Sequence, residues 1–387
     1  MSSNTKTPQW LTQGLSSNDI YFCSQEFQFR AKVNQQSIKK QAKVSKSTVQ
    51  NMFQQATSAG IKQPILFGLV PFNVNENASF TIPVSYEQAS VPNSSPSLNK
   101  SQNKPEIVKK TPVPQPEKYA DAVRSALKIY EAGGASKIVL ARAMDVYLSG
   151  NLNYQSVIED LICRNRQGYN FSLPIWQASL DHTANMLAAS PELLVRRSGK
   201  HIFVNPLAGS IGRHANPETD KQRREGLAVS DKDLREHAFV VDDIVRNLKP
   251  YCAELNVPDG PSVIGTDALW HLSTYITGTL KDEATTALEL SCALHPTPAI
   301  CGHPTQTAFK HIIELEDFDR DYFAGLAGWQ NESGDGEWVL TLRCALHDIT
   351  QNRLRLYAGA GTVAGSDPDS ETLETATKME TFMRAIT

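Results

Sequence analysis

The sequence predicts an α+β protein built around a large mixed sheet. Alternating apolar runs typical of strands and amphipathic runs typical of helices occur in irregular order, without the steady βαβ alternation of a doubly wound sheet. The chain has 387 residues, of which 40% are hydrophobic, and this length is sufficient for a large core. No repeat of fixed period is visible, which argues against a solenoid or a propeller.

The first 86 residues predict a small α/β portion. Residues 20–33 have a strand-rich pattern, residues 48–59 a helical one, and PILFGLVP at 64–71 is typical of a buried strand. The composition changes at residues 87–116, which are rich in Pro, Ser, Asn and Lys. Because such a segment has little apolar surface to bury, we expect a linker or a surface excursion there.

The rest of the chain, residues 117–387, predicts a longer series of helices and strands. We expect helices at 117–132, 154–166, 231–248 and 285–294, and strands at 137–148, 169–179, 185–189 and 201–205. On the helix at 231–248, the residues expected to face the core are Leu234, Ala238, Val241, Val245 and Leu248.

The C-terminal segment carries the densest set of candidate functional residues. Apolar runs at 338–346 and 354–358 predict paired strands, with Arg343 inside the first, where a full charge needs an anionic partner. A glycine-rich loop with Gly359 follows. Its glycine spacing does not fit a dinucleotide-binding fingerprint, which argues against a nicotinamide or flavin site.

A helix is predicted to start at Asp367-Pro368. Glu371, Glu374 and Lys378 lie at positions i, i+3 and i+7 of that helix and therefore share one face. Together with Arg343 and the bare backbone of the glycines, these groups suit a small dianionic substrate bridged to a divalent cation. The simpler alternative for Glu374 and Lys378 is an ordinary surface ion pair.

Two residues upstream are candidates for acid–base chemistry. Lys137 begins the apolar strand SKIVLARAMDV, which would desolvate an inward-facing lysine as a general base requires. The alternative is an edge-strand lysine that limits aggregation. Glu192 follows Pro191, which suits the first turn of a helix, so a helix-start charge is one interpretation. The small or apolar residues before it would instead bury the carboxyl and raise its pKa, as a general acid requires.

Three more positions are candidates for binding. The small-residue loop PLAGS could hold a carboxylate through backbone N–H groups near Gly209 and the Ser210 hydroxyl, although a tight turn needs no ligand. Glu236 projects away from the apolar stripe of its helix, so it is either solvated or shares a Mg²⁺ ion with Glu374 across a cleft. His271, in LWHL, is either a core histidine or a donor to a substrate oxygen.

Taken in order, these motifs resemble the chorismate-utilising enzymes, and within that family the isochorismate synthases of enterobactin-type siderophore pathways. The resemblance covers nearly the whole chain and is carried by SKIVLAR, YNFSLP, ASPELL, PLAGS, DKDLREH, LWHL, LHPTPA, FDRDYFAGLAGW, GEWVLTLRCA and YAGAG. It implies an anthranilate synthase component I-like fold, with two α+β subdomains whose large sheets stack around the active site and helices outside. Residues 117–387 would be the chorismate-binding core, and residues 1–86 part of the same fold.

The resemblance also implies a reaction and a set of roles. Water would add at C2 of chorismate while the C4 hydroxyl leaves, with Lys137 as the base and Glu192 as the acid. Mg²⁺ would be held by Glu236 and Glu374, with Glu371 assisting through bound water. The expected substrate-binding residues are Gly209, Ser210, His271, Ala299, Arg343, Gly359 and Lys378.

Single residues separate the related activities of this family. Lys137 favours water as the nucleophile, because anthranilate synthases typically lack this lysine and add ammonia. Ala208 stands where the aminodeoxychorismate type has a nucleophilic lysine, and Ala299 where salicylate synthases more often have threonine. A salicylate or anthranilate synthase, a menaquinone-pathway isochorismate synthase, and an inactive family member acting as a binding partner stay open as alternatives.

Composition narrows the partners and the location. The net charge is −3 with no basic block, so we expect no nucleic-acid partner. No apolar stretch approaches the roughly 18 residues that a membrane span needs. Six cysteines without CxxC spacing and a start without a signal-peptide pattern predict a cytoplasmic protein with reduced thiols. A monomer is expected, because no amidotransferase segment or coiled coil is recognisable.

Overall fold

The computed structural model describes residues 9–97, 104–177, 179, 181–266 and 269–387. The strands are β1 (Asp19–Cys23), β2 (Phe27–Lys32), β3 (Ile38–Ala42), β4 (Ile65–Val70), β5 (Ala78–Ile82), β6 (Glu87–Ser90), β7 (Ile107–Val113), β8 (Lys137–Leu148), β9 (Tyr169–Trp176), β10 (His182–Ser190), β11 (Leu193–Ser198), β12 (His201–Asn205), β13 (Leu207–Gly212), β14 (Cys252–Asn256), β15 (Ser262–Gly265), β16 (Leu269–Ser273), β17 (Ile276–Leu280), β18 (Gly302–His303), β19 (Leu326–Asn331), β20 (Gly336–Leu340), β21 (Cys344–Asp348) and β22 (Arg353–Val363). The helices are α1 (Lys46–Ser58), α2 (Pro116–Glu131), α3 (Tyr154–Arg164), α4 (Pro217–Ala228), α5 (Asp231–Leu248), α6 (Ala287–Leu294), α7 (Thr305–Leu315) and α8 (Pro368–Ile386).

Most strands belong to two large sheets. The first has the order β18-β8-β22-β21-β10-β9-β1-β2-β6, with β7 also paired to β8, and the second has the order β14-β17-β12-β11-β20-β19-β4-β5-β3. A small third sheet has the order β13-β16-β15. The strand pairs in the described residues are antiparallel, which corrects the expectation of one large mixed sheet. An irregular order of helices and strands along the chain is compatible with antiparallel sheets as well as with a mixed sheet.

The two large sheets stack face to face and share one core. Aromatic rings carry much of this contact: Phe29 of β2 lies 5.7 Å from Phe67 of β4 and 5.0 Å from Trp329 of β19, measured between ring centroids. The opposite face of the first sheet is covered by α3 and α8, where Leu161 and Phe382 are fully buried. Helices therefore lie outside the stacked sheets.

The N-terminal portion is interleaved with the rest of the fold. Strand β1 pairs with β9 and strand β4 pairs with β19, so the first 86 residues complete both large sheets. Residues 87–116, for which a linker or a surface excursion is expected, include the two strands β6 and β7, which pair with β2 and β8 and therefore are not a free linker. These are mostly exposed edge strands, whose polar composition hid their pairing. Residues 98–103 of this stretch lie outside the described part.

The chain passes directly from one large sheet to the other at two adjacent places. Pro191 and Glu192 join β10 of the first sheet to β11 of the second, and residues 341–343 join β20 of the second to β21 of the first. The two crossings are hydrogen-bonded to each other, because the Leu340 N–H donates to the Glu192 carbonyl (3.2 Å) and the Ala189 N–H donates to the Arg343 carbonyl (3.1 Å). The strand predicted at 338–346 is therefore two strands in different sheets.

Within the described residues, no helix is long and apolar enough to cross a membrane.

Candidate active site

A pocket of about 210 Å³ lies beside the two sheet crossings, under the small third sheet. Its wall is formed by residues of β8, β13, β16, β22, α5 and α8 together with the two crossings. It contains every residue for which the sequence predicted a role: Lys137, Glu192, Gly209, Ser210, Glu236, His271, Ala299, Arg343, Gly359, Glu371, Glu374 and Lys378. Residues from six elements thus meet in one place; their individual roles stay predictions.

Lys137 enters the pocket as the first residue of β8. Its side chain is 8% exposed, and its Nζ donates to Glu236 Oε1 at 2.7 Å. The adjacent strand β22 pairs Gly361 with Val139, and a Cβ on Gly361 would lie 2.9 Å from Lys137 Cε. The bare backbone of Gly361 therefore leaves the space that the lysine side chain occupies. The desolvated lysine expected from the apolar strand is present, with an acidic partner that the sequence pattern did not identify.

Glu236 lines the pocket, and the buried face of α5 differs from the predicted one. The buried residues of this helix are His237, Val240, Asp243, Ile244 and Leu248, whereas Ala238 is exposed. His237 fixes this orientation through contacts of Nδ1 with the Ala208 carbonyl (3.1 Å) and of Nε2 with Thr274 Oγ1 (2.7 Å). The predicted stripe was therefore partly wrong, since it ignored a polar residue that packs inward.

Glu192 lies in the first sheet crossing, not at a helix start as Pro191 suggested. Its carboxyl is buried, and burial raises its pKa to about 8, although the Leu207 N–H (3.4 Å from Oε1) and the charge of Lys137 act in the opposite direction. Desolvation outweighs both, so the group is a neutral acid at physiological pH. This is the property that its apolar flank predicted.

Arg343 lies in the second crossing rather than inside a strand. Its backbone φ of +48° is left-handed, which costs a non-glycine residue about 1–2 kcal/mol. The guanidinium is hydrogen-bonded to Thr381 Oγ1 at 3.3 Å, and burial lowers its pKa to about 10. It remains a cation, and no carboxylate of the described residues forms an ion pair with it, which leaves it available for an anionic ligand.

The glycines at 359 and 361 belong to strand β22, not to a loop. They form the floor of the pocket with Tyr357, because residues two apart on a strand share a face. Lys378 of α8 reaches this floor, donating to the Gly359 carbonyl at 2.9 Å and pairing with Glu374 Oε1 at 2.6 Å. The ion pair between Glu374 and Lys378, which was the simpler alternative to a binding role, is therefore present, and both residues line the pocket.

The small third sheet covers the pocket. PLAGS is strand β13 rather than a loop, and the positive φ of Gly209 (+76°) lets the chain bend so that Ser210 faces the opening. In the paired strand β16, His271 is buried and its Nε2 has no hydrogen-bond partner among the described residues. Burial, with smaller contributions from the charges of Arg343 and Lys378, lowers its pKa to about 3, so the ring is neutral.

Three carboxylates occupy one side of the pocket, but they do not form a ready-made metal site. Among the described residues no group of three or more His, Cys, Asp or Glu side chains lies close enough together to hold a metal ion. Glu236 and Glu374 each bind a lysine instead. Burial and then the nearby charge of Glu374 raise the pKa of Glu371. Carboxylate oxygens are ligands that suit Mg²⁺, so the donor types fit the ion while their present spacing does not enclose it.

The sequence did not identify several residues that line the same pocket. They include Asp233, Arg320 and Tyr357. The period of two along β22 could have revealed Tyr357, since it shares the face of Gly359. Arg320 is buried, pairs with Glu316 four residues before it, and donates to the carbonyls of Val139 (2.6 Å) and Ile300 (3.2 Å), both distant in sequence.

The model of the chorismate binding enzyme family matches residues 19–387. The chain belongs to this family. Proteins similar to it include isochorismate synthase DhbC of Bacillus subtilis, which is 41% identical over 86% of this chain and 83% of that protein. The vibriobactin-specific isochorismate synthase of Vibrio cholerae is 39% identical over 86% and 82%, and isochorismate synthase EntC of Escherichia coli is 36% identical over 86% and 83%. The resemblance drawn from the motifs is confirmed, as is the prediction of an enzyme.

Solved structures agree with this membership. The crystal structure of DhbC from Bacillus anthracis superimposes with a TM-score of 0.90 at 38% identity and covers 97% of this chain and 98% of that one. Anthranilate synthase component I from Streptococcus pneumoniae has a TM-score of 0.71 at 20% identity, covering 83% and 81%, and shares the fold. The predicted anthranilate synthase component I-like fold is confirmed.

The close approach of Gly361 to Lys137 yields a first prediction for this chorismate-binding enzyme. Gly361→Ala is expected to lower kcat by about 10- to 100-fold, because the new methyl group displaces the lysine side chain by a fraction of an ångström or more. Its melting temperature should change little. The control is Gly226→Ala, at a helical glycine with open space around the added Cβ. Unchanged kcat in Gly361→Ala would show that the position of Lys137 does not limit turnover.

Proposed function

We propose that this protein is an isochorismate synthase, which converts chorismate to isochorismate by adding water at C2 and releasing the C4 hydroxyl. The observation that carries the proposal is the meeting of Lys137 with the neutral acid Glu192 in one pocket. The identity of 36–41% to proteins named isochorismate synthase, over 86% of the chain, supports the same conclusion.

The two groups divide the proton transfers between them. Lys137 accepts a proton from the water that attacks C2, and Glu192 gives its proton to the departing C4 hydroxyl, which leaves as water. One water is consumed and one is released, so product and substrate have the same mass. In the reverse direction the two residues exchange roles.

Cationic and polar groups hold the two substrate carboxylates in this proposal. Arg343 and Lys378 supply positive charge, and the backbone at Gly209 with the Ser210 hydroxyl supplies hydrogen-bond donors. The Nε2 atom of His271 has no hydrogen-bond partner among the described residues, so in this proposal the neutral ring contacts a substrate oxygen. Ala299 lines the same pocket and leaves space there that a larger residue would fill.

We further propose that Glu236 and Glu374 hold Mg²⁺, with Glu371 acting through a bound water. The support is the type of donor and the repulsion between Glu371 and Glu374, which a cation would relieve. When bound, the ion would neutralise a substrate carboxylate and withdraw electrons from the ring. To reach it, Glu236 and Glu374 would have to exchange their lysine partners for the metal.

Removal of the metal gives a second prediction. Chelation with EDTA is expected to abolish turnover, and added Mg²⁺ should restore it. Glu374→Gln should weaken Mg²⁺ binding by at least about tenfold in a calorimetric titration, since a charged oxygen ligand is lost. Glu225→Gln, at an exposed glutamate of α4 that pairs with Lys221, serves as the control. Full activity in EDTA would contradict the metal assignment.

The proposed function is tested by incubating the protein with chorismate and Mg²⁺ and resolving the products by chromatography and mass. We expect a new species of the mass of chorismate that approaches a reversible equilibrium. Salicylate with pyruvate would instead identify a salicylate synthase, and anthranilate formed with ammonia an anthranilate synthase. If chorismate were unchanged in the presence of folded protein, the remaining alternative would be an inactive family member that acts as a binding partner.

We assign the product to catecholate siderophore synthesis, because one relative is named vibriobactin-specific and the DhbC structure is described as 2,3-dihydroxybenzoate-specific. Deleting the gene should abolish growth under iron limitation, and added 2,3-dihydroxybenzoate should restore it. Rescue by menaquinone alone would place the enzyme in the other pathway.

A further inference from the structure

Arg142 is a buried arginine that the proposed chemistry does not use. It lies on β8 with Lys137, and the two side chains face opposite sides of the first sheet because neighbouring positions on a strand alternate. Arg142 is 4% exposed, and no carboxylate of the described residues forms an ion pair with it. Since the burial of an unpaired charge is costly, the guanidinium is retained at this place by the groups that it contacts.

The guanidinium of Arg142 forms a closed ring of hydrogen bonds with α8, which we call the Arg142 clamp. Its Nε donates to Thr375 Oγ1 at 2.7 Å, and its Nη2 donates to the Thr372 carbonyl at 3.0 Å. The Thr375 hydroxyl closes the ring by donating to the same carbonyl at 2.8 Å. The clamp uses two separate donors of one rigid planar group, and the single ammonium of a lysine cannot reproduce this geometry.

The two halves of α8 are anchored in different ways. Every residue of this helix is described, and in the half at 368–378 the only buried side chain is Thr375. The half at 379–386 is instead fixed by apolar side chains, such as that of Phe382, which pack into the core beside the first sheet. The first half therefore depends on polar contacts for its orientation, and the Arg142 clamp is the one that is buried.

The clamp holds α8 at points adjacent to the charged groups that line the active-site pocket. Thr372 and Thr375 directly follow Glu371 and Glu374 along the chain. Glu371, Glu374 and Lys378 share one face of the helix and line the pocket together. A rotation or tilt of this half of the helix therefore moves all three charged groups at once relative to the floor of the pocket.

We propose that Arg142 is a positioning residue, which orients the first half of α8 so that Glu371, Glu374 and Lys378 face the bound ion and substrate. This inference rests on the proposed function, which assigns those ligands to these groups. Arg142 does not line the active-site pocket and acts through the Thr372 carbonyl and the hydroxyl of Thr375. Two contact points on one rigid group fix the rotation of the helix, which a single contact would leave free.

Removal of one hydroxyl tests the role of the clamp. Thr375→Val deletes the acceptor of the Arg142 Nε while it keeps nearly the same side-chain shape, and the dissociation constant of Mg²⁺ is measured by calorimetric titration without substrate. We expect this constant to rise about tenfold, as is typical when a group that orients a metal ligand is lost. Thr375→Ser, which keeps the hydroxyl, should bind Mg²⁺ like wild type. The matched control is Thr377→Val, at an exposed threonine whose hydroxyl bonds to the Leu373 carbonyl of the same helix.

Amide hydrogen exchange separates positioning from a general loss of stability. In Thr375→Val, exchange should become faster at residues 371–378 and stay unchanged at 379–386, where the apolar contacts are intact. Faster exchange along the whole helix, or faster exchange at 371–378 with unaltered Mg²⁺ binding, would overturn the positioning role. A wild-type protein that binds no Mg²⁺ or forms no isochorismate would refute the proposed function. Normal binding and product formation by wild type, with equal Mg²⁺ binding by Thr375→Val and Thr377→Val, would refute the role of Arg142 alone.

Discussion

Replacing Lys137 with arginine is expected to reduce turnover by about 10²–10⁴-fold, the range typical for the loss of a general base. Arginine keeps the positive charge that binds Glu236 at 2.7 Å, but a guanidinium does not lose its proton under physiological conditions. The substitution therefore separates base catalysis from the electrostatic role of the side chain. The measurement is kcat for isochorismate formation, together with the dissociation constant of chorismate.

Lys137→Ala provides the comparison. It removes both charge and base, and it leaves the Glu236 carboxylate without its partner, so we expect a lower melting temperature in addition to the loss of kcat. Chorismate should still bind to both variants, because Arg343 and Lys378 are untouched. If Lys137→Arg turned over at a near-normal rate, Lys137 would act through its charge alone and the base would have to be sought elsewhere.

Glu192→Gln is expected to lower kcat by a similar 10²–10⁴-fold with little change in folding. An amide has nearly the shape of the protonated carboxyl that the buried site holds, yet it has no acidic proton to donate. In the wild-type enzyme the acid is protonated below its pKa of about 8. The rate should therefore fall as pH rises above about 8, and this alkaline limb should be absent from the residual activity of Glu192→Gln.

The same pKa gives an independent check on stability. The folded protein holds the Glu192 proton more tightly than the unfolded chain, whose pKa is near 4.5. The contribution of this group to stability is thus fully present below about pH 4.5 and decreases as pH rises through about 8. The melting temperature of wild type should fall relative to that of Glu192→Gln across this window. If the melting temperatures of the two proteins changed in parallel with pH, the pKa of the Glu192 carboxyl would not be raised.

Much of the fold could be predicted from local patterns. Helix α8 begins at Pro368 with Asp367 as its cap, and β8 and α5 have the predicted bounds, because caps and periodicity act within a few residues. The assignment of strands to sheets could not be predicted. An apolar run such as 338–346 has the same alternation whether it stays in one sheet or crosses to another, and pairing depends on partners far away in sequence.

In the candidate site, too, local patterns predicted some residues, whereas residues placed by long-range contacts were missed. The motifs identified residues whose types are unusual in their setting, such as a lysine in an apolar strand. They missed Arg320, which is chemically ordinary in sequence and is held in place by an ion pair with Glu316 and by hydrogen bonds to the carbonyls of Val139 and Ile300. Arg343 was identified, but its left-handed backbone was not, since an arginine at a sheet crossing has no local signature.

The two adjacent crossings have a mechanical consequence. Glu192 and Arg343 each lie in a segment that joins both large sheets, and the two segments are linked by the backbone hydrogen bonds from Leu340 to Glu192 and from Ala189 to Arg343. Lys137 belongs to the first sheet alone. Any sliding of one sheet over the other leaves the spacing of acid and arginine nearly fixed and changes their distance from the lysine. The offset between the two large sheets is therefore one geometric variable through which substitutions far from the pocket can adjust the reaction.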